Sequence, residues 1–273
     1  MPTERIVCNL CGNTALDVVE SGEGPFKVYR CRQCSLVFVH PVPESAHLKA
    51  HYDEGYYEDW INRQHQRRIK MWKKRFAKIE ALNLKGNLLD IGCGDGMFLQ
   101  LAQEKGWNVF GTELSAYGAE LAAGRLNQEI HNGELETARF PDALFDVVTI
   151  WHVLEHVRDP GRYLAEIRRI LKPAGILLLA VPNVNDLVMK AAYRVIKGRK
   201  LKLFSQNDRE IHLYHFSEKT IKKYLEKAGF KCRHLGPDLG YAQWSYKLVN
   251  FISIAVYLIS GIPVYNSIEI FAV

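Results

Sequence analysis

The sequence predicts an α/β protein in which a doubly wound, mostly parallel sheet follows a small cysteine-rich module. From residue 87 onward, short apolar runs suited to strands alternate with amphipathic runs suited to helices, which is typical of a parallel sheet with helices on both faces. A chain of 273 residues with 48% hydrophobic and 24% charged residues can bury a full core. The predicted strands are 87–91, 108–113, 129–131, 145–151 and 175–182, and the predicted helices between them are 96–106, 115–125 and 160–172.

The cysteine-rich module, residues 1–43, is predicted to be a zinc ribbon. Four of the six cysteines lie in two Cys-x-x-Cys turns, and four thiolates in two such turns can surround one tetrahedral zinc ion. Disulfide pairing is the alternative, which a reducing compartment and the paired spacing disfavour. Because four protein ligands leave no position open for water, the metal is expected to be structural. The predicted zinc ligands are Cys8, Cys11, Cys31 and Cys34, and the predicted strands are 16–20, 26–30 and 35–39.

A helical linker, residues 44–84, is expected to follow the ribbon. Pro41 and Pro43 end the ribbon because two prolines so close together interrupt a strand or a helix. A helix is predicted over 61–82, with Trp72 and Phe76 near its apolar face. Eight basic residues crowd the same stretch, which indicates either a solvated helix face or a surface for an anionic partner. They are Arg63, Arg67, Arg68, Lys70, Lys73, Lys74, Arg75 and Lys78.

The most informative stretch of the chain runs from Leu88 to Gly96. An apolar run ends in Asp90, glycines then occupy every second position, and a helix-compatible run follows, which predicts a buried strand, a tight loop and a helix start. Glycines let a ligand press against the backbone, and a helix N-terminus offers unpaired N–H groups to a carboxylate or phosphate. A dinucleotide fingerprint has a different spacing, Gly-x-Gly-x-x-Gly. Asp90 would repel a pyrophosphate but suits an ammonium group.

This loop resembles the cofactor loop of the class I S-adenosylmethionine-dependent methyltransferases. Further motifs of that family follow in order, and the resemblance covers roughly residues 85–235. They are Val109–Ser115 with the acid Glu113, Phe145–Val157 and Leu171–Ile176. The resemblance implies a Rossmann-like sheet of seven strands, in a domain over 85–273 with insertions near 183–205 and 241–262. The last strand, 267–273, is expected to be antiparallel and to lie at the sheet edge.

The resemblance also implies the cofactor-binding residues. Asp90 would orient the methionine ammonium of S-adenosylmethionine, the loop amides would face its carboxylate, and Glu113 would accept both ribose hydroxyls. Glu134 matches the position whose acid approaches the adenine amino group. Tyr57 lies in a segment that, in similar proteins, covers the bound cofactor, although packing is the alternative for this tyrosine. The residues assigned to the cofactor are Tyr57, Asp90, Gly92, Cys93, Gly94, Gly96, Glu113, Leu114, Glu134 and Trp151.

Three catalytic candidates, His152, Glu155 and His156, lie just past the fourth strand. A histidine beside the methyl donor suits a general base because its pKa lies near neutral pH. The spacing places all three on one side of a helical turn, where they would hold a divalent ion, as in the resembling ubiquinone-pathway O-methyltransferases, or tie down the next loop. Histidine at the first position weakens the analogy to a Mg²⁺ site, since that ion prefers oxygen ligands.

His212 is the second candidate for a general base. It lies in a segment, 210–217, that resembles a His-Leu-x-x-Phe segment of the family. Period-2 alternation groups His212 with Tyr214 and Phe216 on one face and sets His215 on the other face. A histidine held by backbone hydrogen bonds is the alternative interpretation.

Two apolar segments bear on the expected partners. The segment 183–202 combines an apolar stripe with lysines and arginines, which indicates either core packing or peripheral contact with an anionic membrane surface. The run 248–262 is shorter than the roughly 20 apolar residues that a membrane span needs. It is interpreted as an interfacial anchor, a homodimer surface or the floor of an acceptor pocket. The first residues lack the apolar region of a signal peptide, so a cytoplasmic protein is expected.

The predicted function is methyl transfer from S-adenosylmethionine to a small-molecule, sugar or lipid-linked acceptor, at oxygen. An RNA base methyltransferase is the alternative enzyme, because some such enzymes carry a zinc module and the basic stretch 63–78 fits RNA. Against it, Val181–Asn183 lacks the Asn/Asp-Pro-Pro-Tyr motif of many amino-group methyltransferases, so nucleic acid is not the expected partner. A non-catalytic zinc-ribbon binding module is the alternative of another class, and the intact glycines and acids argue against it.

Overall fold

The computed structural model describes residues 5–22, 24–44, 54–208, 210–238 and 247–273, without the side chains of 54, 56–64 and 247. The chain divides into two compact units. The first unit comprises Met1–Pro43, Leu154–Leu164 and Ala180–Ile270, and the second comprises Glu44–Val153, Ala165–Leu179 and Phe271–Val273.

The regular elements of the described residues alternate as an α/β chain should. In chain order they are β1 (Leu16–Ser21), β2 (Lys27–Cys31), β3 (Val37–His40), α1 (Glu54–Glu80), β4 (Asn87–Ile91), α2 (Met97–Glu104), β5 (Asn108–Glu113), α3 (Ala116–Leu126), β6 (His131–Asn132), a 3₁₀ turn (Leu135–Thr137), β7 (Phe145–Trp151), α4 (Pro160–Ile170), β8 (Leu171–Pro182), α5 (Leu187–Lys197), β9 (Tyr214–His215), α6 (Glu218–Lys227), β10 (Cys232–Pro237), α7 (Lys247–Ser260) and β11 (Ser267–Ala272).

The large sheet has seven strands in the order β10-β11-β8-β7-β4-β5-β6, which confirms the predicted doubly wound fold. β4 pairs in parallel with β5 and with β7, and β5 pairs in parallel with β6. Three strands, 87–91, 108–113 and 145–151, have the predicted bounds, because continuous apolar runs of buried strands stand out in a sequence. β8 begins at Leu171 rather than at 175.

The last strand, β11, is antiparallel as predicted, but the prediction that it lies at the sheet edge is wrong. The Asn183 amide, just after β8, donates to the Asn266 carbonyl, just before β11, with an N–O distance of 2.8 Å. The end of one strand therefore meets the start of the other. On the outer side, the Asp238 amide donates to the Ser267 carbonyl, so β10 covers β11 and takes the edge position.

The ribbon contributes a second sheet, of four strands in the order β1-β2-β3-β9. Three strands come from the first 43 residues and pair antiparallel, while β9 comes from the distant segment around residue 214. Side-chain contacts join the same two parts of the first unit, since the Tyr224 hydroxyl donates to the Asn9 side chain at 2.7 Å and Lys227 donates to the Leu10 carbonyl. The ribbon and the segment 213–227 thus form one packed structure.

Helix α1 buries a stripe that includes two arginines. Trp72 and Phe76 pack against Phe98 of α2, with ring centroids 5.3 Å and 6.1 Å apart. Arg68 and Arg75 are 2% and 1% exposed, so the interpretation of the whole basic stretch as a solvated face is wrong for these two. Their positions, seven residues apart, place them on the same helix face as the buried aromatic residues.

A buried carboxylate, Asp95, joins three parts of the second unit. Arg68 of α1 forms an ion pair with one carboxylate oxygen, and Arg125 of α3 contacts the other oxygen at 2.9 Å. The Arg125 Nε also donates to the Asp95 carbonyl at 2.7 Å. Asp95 itself is 1% exposed, so its two arginine partners supply the charge that burial requires.

Arg68→Ala is expected to lower the free energy of unfolding by about 3–5 kcal/mol, because removing one of two cationic partners leaves the buried Asp95 carboxylate only partly compensated. Lys73→Ala, at an exposed position of the same helix, is the matched control and should change the free energy by less than about 0.5 kcal/mol. Urea unfolding measures both. Equal effects of the two substitutions would contradict a structural role for the buried ion pair.

Candidate functional site

The glycine loop follows β4 and is shaped by left-handed backbone conformations. Gly92, Gly94 and Gly96 have φ values of 70°, 57° and 74°, which L side chains rarely adopt. A Cβ atom added to Gly92 would lie 2.5 Å from the Val153 side chain, and one added to Gly96 would lie 3.0 Å from Ala122. The close approach of Val153 and Ala122 therefore also requires glycine at these two positions.

Glu113 ends β5 and is held by the backbone of the glycine loop. The Gly94 amide donates to one carboxylate oxygen at 2.8 Å, and the Ser115 amide donates to the other at 2.9 Å. The carboxylate is 6% exposed. Because β4, β5 and β7 are parallel, their carboxyl ends lie at one edge of the sheet, so Glu113, the glycine loop and the end of β7 share that edge.

Asp90, in β4, is a second buried acid at this edge of the sheet. It is 2% exposed, and within the described residues its carboxylate accepts a hydrogen bond from the Thr149 hydroxyl at 2.6 Å. Burial raises the pKa of Asp90 to about 7, against the lowering effects of the Thr149 hydrogen bond and the charge of Arg75, and the Glu113 carboxylate raises it further. A cationic ligand beside Asp90 would therefore favour its ionised form.

Arg75 places a cation at the same site, between two indole rings. Its guanidinium carbon lies 4.3 Å from the centroid of Trp151 and 5.1 Å from that of Trp72. Trp151, the last residue of β7, is itself 7% exposed and meets the Phe98 ring edge to face at 6.1 Å. Such cation–π contacts hold a desolvated arginine in a fixed position.

Sequence reasoning missed four charged residues near the loop. They are Arg68, Arg75, Asp95 and Arg125. For the two arginines of α1 a signal was present, since residues 68, 72, 75, 76 and 79 recur at helical spacing on one face. No comparable signal marks Arg125, whose partnership with Asp95 depends on how α3 packs against the loop.

The remaining cofactor candidates occupy different surroundings. The Cys93 side chain is buried against Gly111, where an added Cβ would lie 2.8 Å from its sulfur, so only its backbone faces the loop. Leu114 is half-buried, and its carbonyl accepts from Asn132 at 3.2 Å. Glu134 is exposed, at the start of the 3₁₀ turn. Tyr57 lies in α1, and its side chain is outside the described residues.

His152 directly follows β7 at the loop edge of the sheet. Its φ value of 57° places a non-glycine residue in the left-handed region, a conformation that costs energy and is common at functional sites. The side chain is half-buried. The role of His152 as a general base stays a prediction.

The second group of candidates, Glu155, His156 and His212, forms a cluster in the first unit. Their ligand atoms all lie within 4.8 Å of one another, and the rings of His156 and His212 are 4.9 Å apart. The nitrogen Nδ1 of His156 lies 2.8 Å from the Ile211 carbonyl, which suits an Nδ1–H donor, and its Nε2 lies 3.9 Å from a Glu155 carboxylate oxygen. His212 therefore joins Glu155 and His156 in this cluster, whereas the sequence grouped these two residues with His152.

The predicted grouping of His212 with Tyr214 and Phe216 is also wrong. Tyr214 and Phe216 do share a face, with ring centroids 6.2 Å apart, but His212 precedes the two-residue strand β9 and its ring lies 6.1 Å from His215. The alternation therefore does not extend back to residue 212. Burial and the nearby charge of Lys190 lower the pKa of His215 to about 4.

The four ribbon cysteines form the candidate metal centre. Cys8 and Cys34 sulfurs are 3.5 Å apart, as are those of Cys11 and Cys31, and all four sulfurs lie within 4.8 Å of one another. These distances exclude disulfide bonds of about 2.05 Å and approach the edge of about 3.8 Å expected in a tetrahedral zinc–thiolate site. The donor set therefore fits a zinc ion.

The two cysteine turns have the same backbone geometry. The Gly12 amide donates to the Cys8 carbonyl at 2.8 Å, and the Ser35 amide donates to the Cys31 carbonyl at 2.9 Å. Both residues are left-handed, with φ values of 74° and 68°. Although burial opposes it, backbone hydrogen bonds from Cys34 and Gln33 lower the pKa of Cys31 to about 7, which favours the thiolate form that binds metal.

Comparison with known proteins extends these observations. A family described as a methyltransferase domain matches residues 61–235. A probable S-adenosylmethionine-dependent methyltransferase of Mycolicibacterium smegmatis is 30% identical over 146 residues, which are 53% of this chain and 52% of that protein. A ubiquinone biosynthesis O-methyltransferase of Coxiella burnetii is 30% identical over 162 residues, or 56% of this chain and 67% of that protein.

Solved structures support the same fold. A S-adenosylmethionine-dependent methyltransferase of Thermotoga maritima, described as a possible histamine N-methyltransferase, matches with a TM-score of 0.57 and 20% identity, over 84% of this chain and 99% of that chain. The chain spans about half the length of the M. smegmatis relative. Because the methyltransferase family matches well over half of the residues, the chain belongs to the methyltransferase domain family.

Proposed function

We propose that this protein transfers a methyl group from S-adenosylmethionine to an acceptor oxygen. The observation that carries the proposal is the glycine loop, whose Gly94 amide holds the Glu113 carboxylate near the buried acid Asp90. Membership of the methyltransferase family and the names of its relatives support the same activity.

The charges of the loop edge suit this ligand. The buried carboxylate of Asp90 is positioned for an ammonium group, and Glu113 is positioned for ribose hydroxyls. Arg75 and the N-terminal amides of α2 offer positive charge to a carboxylate. When bound, S-adenosylmethionine supplies an electrophilic methyl group on a sulfonium centre, so the main task of the surrounding residues is to bind and align.

We assign the general base to His152 and keep His212 as the second candidate. An acceptor hydroxyl must lose its proton, and a histidine titrates in the appropriate pH range. His152 is at the carboxyl end of β7, at the edge that carries the glycine loop, and its strained backbone fixes its direction. Glu155 and His156 either orient His212 or bind a divalent metal ion together with it. The metal would be one that accepts imidazole ligands.

The acceptor class we propose is a small molecule, a sugar or a lipid-linked intermediate. Support for oxygen as the accepting atom comes from relatives named ubiquinone biosynthesis O-methyltransferase. An RNA acceptor is disfavoured because two arginines of the basic stretch that suggested it, Arg68 and Arg75, are buried rather than available to phosphate groups.

We further propose that Cys8, Cys11, Cys31 and Cys34 bind one structural zinc ion. The support is the arrangement of four thiols at distances that suit tetrahedral coordination. Zinc bound there would join the turn that precedes β1 to the turn that connects β2 with β3. Through β3 it would also hold β9, which pairs with Val37 and Phe38.

Cys34→Ser is expected to lose the zinc and to speed hydrogen exchange of the β9 amides about tenfold or more, because β9 has the ribbon as its sheet partner. Zinc content per chain and hydrogen exchange followed by mass spectrometry measure these effects. Cys232→Ser, which alters a half-buried thiol outside the cluster, is the control and should retain the metal. Unchanged zinc content in Cys34→Ser would contradict the assignment.

Calorimetric titration with S-adenosylhomocysteine tests the cofactor site directly. The wild-type protein is expected to bind it, and Glu113→Gln should weaken binding about 10- to 100-fold through loss of charge-assisted hydrogen bonds. Glu136→Gln, at an exposed acid of the nearby 3₁₀ turn, should leave the affinity within about twofold. Absence of binding to the wild-type protein would overturn the proposed function.

The same preparations test transfer. With methyl-labelled S-adenosylmethionine and a cell extract, the wild-type protein should label an acceptor, which mass spectrometry identifies. His152→Gln should reduce labelling about 100-fold or more while retaining affinity for S-adenosylhomocysteine. If His212→Gln loses labelling and His152→Gln does not, the base is His212. Cofactor binding without any labelled product would favour the non-catalytic binding module.

The affinity for S-adenosylhomocysteine is expected to rise with pH through about 7, because the ligand ammonium prefers the ionised Asp90. The raised pKa means that the ligand-free protein keeps Asp90 protonated below about 7, so affinity at pH 6 should be about tenfold lower than at pH 8. Asp90→Asn should remove this part of the pH dependence and weaken binding at pH 8. Equal pH profiles for the two proteins would contradict the assignment.

A further inference from the structure

Helices α5 and α7 of the first unit pack against each other and turn large apolar side chains outward. Val195 is 84% exposed, Phe251 is 71% exposed and Ile259 is 88% exposed. No residue of α5 is buried, so the core packing considered from the sequence is wrong for this helix. The exposed apolar residues here, called the α5–α7 surface, are Leu187, Val195, Ile196, Leu201, Leu248, Phe251, Ile252, Leu258, Ile259 and Ile262.

The polarity of α7 is the reverse of that of an ordinary surface helix. Its buried residues include the polar Asn250 and Ser253, which are 8% and 0% exposed, while its most exposed residues are apolar. The exposed positions 248, 251, 252, 258 and 259 recur at helical spacing and so form one stripe along α7. Such a stripe exposes apolar side chains to water unless another apolar surface covers it.

Exposed basic residues lie in and just after α5, the helix that packs against α7. Within 184–204 the acidic residue is Asp186, which is buried at the start of α5. The exposed cations of the same segment are Arg194, Lys197, Arg199, Lys200 and Lys202. The surface therefore offers apolar area together with the positive charge of these side chains.

We propose that the α5–α7 surface rests on an anionic lipid bilayer. Apolar side chains would enter the boundary between headgroups and acyl chains, and the cations in and just after α5 would meet anionic headgroups. A second copy of the chain fits less well, because a two-fold interface would set the same five cations against each other. None of the helices in the described part of the chain combines the length and the apolar character that a membrane span requires.

Vesicle sedimentation of the full chain tests this proposal. Binding is expected to vesicles with about one third phosphatidylglycerol and not to vesicles of phosphatidylcholine alone, at about 0.1 M salt. The pair Phe251→Ser with Ile259→Ser, and separately the pair Arg199→Glu with Lys200→Glu, should each weaken binding about tenfold or more. Val18→Ser and Lys222→Glu, at exposed positions of β1 and α6, are the matched controls and should bind like the wild-type protein.

Three outcomes would overturn the proposal. The first is no binding to anionic vesicles, and the second is binding that neither pair of substitutions changes. The third is a dimer in analytical ultracentrifugation that the pair Phe251→Ser with Ile259→Ser dissociates, because a second copy would then occupy the surface. Unchanged affinity for S-adenosylhomocysteine in each variant verifies that it is folded. Failure of the wild-type protein to bind S-adenosylhomocysteine would contradict the proposed methyl transfer and leave the membrane proposal standing.

Discussion

The burial of one carboxylate constrains the architecture of the second unit. Asp95 lies inside the glycine loop, and an ionised carboxylate that is 1% exposed is stable only with charged partners at contact distance. Arg68 and Arg125 fill that requirement from helices on either side of the loop in sequence. Such a group contributes more to the uniqueness of the arrangement than to net stability, because desolvation offsets much of its Coulomb energy. The loop conformation and the positions of α1 and α3 therefore depend on one another.

Much of the fold could be predicted from the sequence, because local patterns determine strands, turns and helix ends. The glycine loop is the clearest case: spacing, an acid and the following helix identify it before any tertiary contact is known. The order of the strands in the sheet follows from the same local patterns, except for β10 and β11. Long-range pairing decides which of these two strands lies at the edge. Short elements such as β9, of two residues, have no sequence pattern of their own.

The candidate site was predictable only in part, for a related physical reason. Glu113 and Asp90 could be found because they end strands that the pattern identifies. The burial of the two α1 arginines was missed because the basic stretch suggested a solvated face or a surface for an anionic partner, although their spacing matched the buried stripe. His212 was placed by alternation in a strand that does not reach it. Its cluster with Glu155 and His156 joins segments 55 residues apart, as the contact of His156 with Ile211 shows, and sequence spacing carries no information about such a contact.

The shared sheet of the first unit affects how the ribbon can be exchanged during evolution or in protein engineering. Its fourth strand, β9, is encoded more than 170 residues after β3, so the ribbon is not an independent cassette. A shortened chain that starts after Pro43 would leave the edge of β9 without its partner and expose the residues that Asn9 and Leu10 now contact. Transfer of the ribbon to another protein would have to include the strand and helix that complete it.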